Sequence, residues 1–88
     1  MTYNFPRTIF ADTNTIDEQL GKVSLELCEA LRAGAKREGI DRVIEEVMDT
    51  IHAAETLLWI AEREHGPGYI WDMKQAVIKK NRDRKYYP

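Results

Sequence analysis

Apolar residues recur along this chain at steps of three and four, the period of one face of an α-helix, and nowhere alternate as a strand would. Leu20, Val23, Leu27 and Leu31 form the first such set. The segment "TIDE" just before it has the form of a capping box, so a helix is expected to begin at Thr15 and to fade through "AGAKREG", where Gly34 and Gly39 weaken the pattern. Asp41 is placed to cap a second helix, whose apolar set is Ile40, Ile44, Val47, Ile51, Ala54 and Leu58. Gly66, Pro67 and Gly68 then break the chain, and "YIWDMKQAVIKKNRDRK" reads as a third helix with Ile70, Met73, Val77 and Ile78 turned inward.

These elements predict an all-α fold: an antiparallel bundle of two long helices plus a shorter third helix. Residues 15–84 form the helical domain and residues 85–88 a C-terminal tail. Residues 1–14 form an N-terminal arm whose rings, Phe5 and Phe10, either lie on a groove or belong to a loose end. A chain of 88 residues makes only a thin core, so the bundle is expected to be completed by oligomerisation.

Composition narrows the function less than it narrows the setting. Hydrophobic residues at 43% and charged residues at 32% describe a folded rather than a disordered chain. A formal net charge of −2 gives no general attraction to nucleic acid or anionic membrane. The longest apolar run, "TLLWIA", is far short of the roughly 20 residues needed to cross a bilayer, and the N-terminus lacks a basic leader and an apolar core. Cys28 stands alone, which rules out an intrachain disulfide and a cysteine-rich zinc site and suits a reducing, cytoplasmic setting.

Two acidic pairs carry the chemistry. At about 100° per residue, Glu46 and Asp49 project within roughly 60° of each other beside the apolar stripe of the second helix, and Glu26 and Glu29 do the same on the first. The pairs lie at comparable distances from the connection, so antiparallel packing brings them face to face. Four converging carboxylates repel one another and raise each other's pKa unless a positive charge sits among them. A divalent cation answers that need, and all-oxygen ligation selects the hard ions Mg²⁺ or Mn²⁺, which also bind phosphate. The plain alternative is that the acids coat solvated helix faces.

Around these pairs the sequence resembles the MazG-like all-α nucleoside triphosphate pyrophosphohydrolases, whose hallmark is E-x-x-E on one helix and E-x-x-D on the next. Glu26-Leu27-Cys28-Glu29 and Glu46-Val47-Met48-Asp49 match it, and Gln19 and Lys22 match the lead-in. The later "KKNRDRKYYP" is similar to the family's basic and amide segment, with a longer spacing to its tyrosines, and Leu25 stands where many members carry another Glu. The resemblance runs from about Thr15 to Arg84. It implies Mg²⁺-dependent hydrolysis of a nucleoside triphosphate between its α and β phosphates, giving the monophosphate and pyrophosphate. Glu26, Glu29, Glu46 and Asp49 would hold the metal, Glu26 or Glu29 would serve the attacking water, and Lys22, Lys80, Asn81 and Arg84 would grip the substrate. It further implies a homodimer or homotetramer and a house-cleaning or nucleotide-pool role. The phosphoribosyl-ATP pyrophosphohydrolases share the scaffold but have a different lead-in.

Other residues point less sharply. Trp59 and Trp71 are expected in packing, His52 at the surface or as a cap, and Cys28 as small core filler. The basic C-terminal segment also complements a helix dipole. The competing function class is a non-catalytic helical module for dimerisation or partner binding, which would need neither both acid pairs nor the Lys80, Asn81, Arg84 set.

Overall fold

The computed structural model describes residues 3–88, and the arm's first two residues, Met1 and Thr2, lie outside it. Within that range the protein is all-α, with four helices in chain order: α1 (Phe10–Thr13), α2 (Ile16–Ala35), α3 (Ile40–His65) and α4 (Tyr69–Asp83). No helix is long and apolar enough to cross a membrane among the described residues.

The capping box forms as the sequence predicts. Thr15 Oγ1 accepts from the Glu18 backbone N–H at 3.1 Å, and Glu18 Oε1 accepts from the Thr15 N–H at 2.9 Å. At the other end of α2 the chain reverses through Arg37, which takes a left-handed φ of 52°, while Glu38 N–H donates back to the Ala33 carbonyl. Asp41 does not cap α3. The helix begins two residues earlier than that cap would allow, at Ile40, with Gly39 at the cap position and no side-chain cap, and Asp41 sits in the first turn, where its charge suits the dipole. Gly66 closes α3 at φ 92°, a conformation that costs a residue with a Cβ and explains the break before α4.

The long helices pack together, and their sense is antiparallel: Gln19, early in α2, reaches Ala53 midway along α3, while Ala33, late in α2, lies with Arg42 early in α3. Their seam is not the leucine stripe. The buried positions of α2 are Gln19, Ala30 and Ala33, whereas Leu20, Leu27 and Leu31 are 50%, 49% and 66% exposed. On α3 the buried set is Glu46, Ala53, Glu55, Thr56 and Ile60, and Ile40, Ile44 and Val47 face out. Small alanines let the backbones approach, and the large apolar residues are left on a neighbouring face. Met73 and Val77 of α4 are likewise exposed, Ile70 is its one buried residue, and Cys28 is exposed rather than filling core.

The arm is docked against α3. Phe5 stacks on His52 with ring centroids 4.6 Å apart, and Tyr3 meets Trp59 at 4.4 Å. Its last turn is helical, as α1, because Ala11 and Asp12 N–H groups find the Thr8 and Ile9 carbonyls. α4 packs on α3 alone and makes no contact with α2. The result is flat, 40 × 39 × 21 Å, with a radius of gyration of 14.9 Å. A compact chain of this length would have about 12 Å. The accessible surface of 6569 Å² similarly exceeds the roughly 5,300 Å² expected for its mass.

The left-handed Arg37 gives a stability prediction. Glycine adopts that conformation without a Cβ penalty, partly offset by its greater freedom when unfolded, so Arg37→Gly is expected to stabilise the chain by about 0.5–1 kcal/mol in chemical denaturation.

Candidate metal centre

Helical spacing and the alanine seam place three carboxylates together. Glu46 and Asp49 stand one turn apart on α3, Glu26 faces them from α2, and one oxygen from each lies within 4.8 Å of the others. Oxygens bound to one octahedral Mg²⁺ lie about 3.0 Å apart when adjacent and about 4.2 Å when opposite, so the set would have to draw in on the ion. The three differ in exposure: Glu46 is buried, Glu26 is half-buried and Asp49 reaches solvent.

Glu46 carries the electrostatic tension of the site. Only 3% of it is exposed. One carboxylate oxygen pairs with Arg42 at 2.5 Å, and the other, Oε2, is buried with no hydrogen-bond partner. Burial pushes its pKa up from the ordinary glutamate value, and the charges of Glu29, Asp49 and Glu26 push the same way against the opposing pull of Arg42. Arg42 is itself shared with Glu38 at 3.7 Å and Glu45 at 3.8 Å, which dilutes its charge. Lys22 Nζ lies 3.5 Å from Glu26. A buried, unpartnered oxygen among all-oxygen donors is a place where a hard divalent cation fits.

Glu29 stands outside the triplet. It is exposed and lines a separate recess with Arg32, Ala33, Glu38, Arg42 and Glu46, so it meets Glu46 from the Arg42 side. Lys22 lines a different cavity, together with Glu26 and Asp49. Lys80, Asn81 and Arg84 lie at the end of α4 and its cap, and since α4 does not touch α2 the fold does not pack them against the acids of that helix.

Arg42 escapes the sequence reading, while Gln19 and His52 take up contacts beyond the lead-in and surface positions expected of them. Gln19 is a tie between elements: its Nε2 donates to the Ala53 carbonyl and its Oε1 accepts from Asn14 Nδ2, both at 2.9 Å. Arg42 was findable, because it sits four residues before Glu46 on one helix. His52 is half-buried, lines the cavity beside Asp49, and meets the Pro6 carbonyl at 3.2 Å.

Because the folded value of Glu46 lies above the unfolded one, its stabilising contribution is complete at pH below the unfolded glutamate value and is lost as pH rises through the folded value. Glu46→Gln removes that loss. The melting temperature of metal-free Glu46→Gln relative to the parent should therefore climb between pH 4 and pH 7, and a difference that stays flat would show that the carboxylate is not held against its charge. No protein-family model, curated protein or solved structure matches the chain. What the protein does is therefore to be read from the chemistry of the site itself.

Proposed function

We propose that the protein is a Mg²⁺-dependent nucleoside triphosphate pyrophosphohydrolase of the MazG-like kind, with Mn²⁺ as an alternative ion, releasing pyrophosphate and leaving the monophosphate. The observation that carries this reading is the buried Glu46 carboxylate, which clusters with Glu26 and Asp49 and keeps one oxygen without a hydrogen-bond partner. An inert helical surface gains nothing from that arrangement, since an unpaired buried polar atom costs free energy.

Glu26, Glu46 and Asp49 would hold the metal, with Glu29 joining from the neighbouring recess. When bound, the metal would neutralise phosphate charge and acidify a coordinated water. Glu29, exposed and outside the triplet, is the better placed of the two candidate bases to orient that water, because Glu26 already faces Lys22. Lys22 would meet the polyphosphate at the mouth of the cavity.

Lys80, Asn81 and Arg84 reach this chemistry most simply from a second copy of the chain. The surface in excess of a compact monomer is of the same order as the roughly 800 Å² that each partner hides in a standard interface. It is also apolar, since Leu20, Leu27, Leu31, Ile40 and Ile44 share the outward faces of the two long helices. A homodimer or homotetramer in the cytoplasm is the assembly proposed. That same face favours the second reading, a non-catalytic module that dimerises or binds a helical partner.

Pyrophosphate release from a panel of ribo- and deoxynucleoside triphosphates, with Mg²⁺, Mn²⁺ or EDTA, separates the two readings. Metal-dependent release is expected from at least one nucleotide. Glu46→Gln and Asp49→Asn should each lower it by at least about a hundredfold, the upper range for losing even an outer-shell partner of a metal, with helical circular dichroism retained. Absence of release together with absence of Mn²⁺ binding by the folded protein would leave the interaction module. Leu27→Lys should shift the sedimentation of the protein from oligomer to monomer, and activity surviving in the monomer would remove the shared-site arrangement.

A further inference from the structure

The N-terminal arm follows a path that the metal centre does not require. From Tyr3, whose hydroxyl donates to Glu62 at 3.2 Å, it runs back along α3 to Pro6, whose carbonyl meets His52. It then turns and returns past Thr8, paired with Thr56 at 3.1 Å, to Ala11, whose carbonyl accepts from Arg63 at 2.7 Å. Glu55 lies inside this loop. Its carboxylate is buried and accepts three hydrogen bonds at 2.9 Å, from the Asn4 and Phe5 backbone N–H groups and from Asn4 Nδ2. Charge-assisted bonds of this kind are about twice as strong as neutral ones.

The turn of the loop stands one helical turn from Asp49, beside a cavity of about 260 Å³. Gln19, Ala53 and Thr56 line it from the helices, Thr8 and Phe10 line it from the arm, and Lys22, Glu26 and Asp49 belong to its acidic end. Drug-sized ligands occupy roughly 300–1,000 Å³, so this space takes part of a nucleotide rather than all of it. Phosphates belong at the carboxylate and lysine end, which leaves the arm end for the uncharged part. Both ends of the Gln19 amide are engaged, and the protons of Thr8, Thr56 and His52 Nε2 go to Thr56, the His52 carbonyl and the Pro6 carbonyl, so polar recognition there falls to the free lone pairs of the two hydroxyls, which accept.

We propose that Glu55 is a positioning residue: by fastening Asn4 and Phe5 it holds the arm so that Thr8 and Phe10 wall a pocket for the nucleoside end of the substrate. This rests on the metal-centre reading of Glu26, Glu46 and Asp49. Glu55→Gln keeps the size of the side chain but turns an NH₂ group toward N–H donors, and Phe5→Ala removes the stack on His52. Each variant of the full-length chain should raise KM for the preferred triphosphate about tenfold with kcat within about twofold. The Ki of the product pyrophosphate, which has no nucleoside, and the affinity for Mn²⁺ should stay at parent values. Tryptophan fluorescence, sensitive to the Tyr3 contact on Trp59, should report the loosened arm. The two substitutions act through one arm, so the double variant should show little more than either alone.

An unchanged KM with the arm loosened would overturn the proposal while leaving the enzyme reading intact. A rise in pyrophosphate Ki and weaker Mn²⁺ binding in parallel with KM would overturn it as well, by showing a general disturbance of the fold. A parent protein that neither releases pyrophosphate nor binds Mn²⁺ would remove both readings together.

Discussion

Everything in this structure turns on a carboxylate kept dry between two helices. Glu46 occupies a seam position where a bundle would ordinarily place a leucine, and Ala30, Ala33 and Ala53 around it supply little apolar area in return. Arg42 satisfies one oxygen and is drawn away by two other acids. Replacing such a group by an apolar one is often neutral or stabilising, so its presence at the cost of packing points to a use outside stability. The adjacency of Glu26 and Asp49 is what the metal-binding role proposed for it rests on.

The same choice shapes the rest of the molecule. A seam built from alanines and acids cannot also bury the leucines and isoleucines of α2 and α3, and these remain on outward faces. α4 adds one buried residue, Ile70, and packs on α3 alone. The arm covers part of α3 with polar and aromatic contacts rather than with aliphatic packing. The result is a flat array of helices whose apolar area is better suited to meeting another surface than to enclosing a core.

The sequence makes the helices legible and their orientation less so. The Thr15 capping box and the Gly66-Pro67-Gly68 break mark their ends because cap and turn chemistry is local. The apolar stripe misleads about the seam, since periodicity shows that a face will be covered and not whether the covering element lies in the same chain. Glu26, Glu46 and Asp49 are recoverable from spacing on antiparallel helices, and Glu29 departs from them by lining a separate recess. Glu55 gives no signal at all: its partners are mainly backbone N–H groups some 50 residues away, which no side-chain pattern announces. Asp41 illustrates the opposite error, a good capping residue displaced because Gly39 tolerates the φ of 102° that the turn imposes.

The turn at Arg37 also determines where this chain can change length. Lys36 to Gly39 is all that joins α2 to α3, and lengthening a loop carries only a slow entropic cost, roughly 0.6 kcal/mol for each doubling. Within the helices the rule is different. One residue inserted between Glu26 and Ala35, or between Ile40 and Glu46, would rotate the acids by about 100° relative to the alanines beyond the insertion and swing a carboxylate out of the seam. Variation in length is therefore tolerable at the hairpin, at the glycine break and in the tail, while the 19 positions between Glu26 and Glu46 can gain or lose residues only through their four-residue centre.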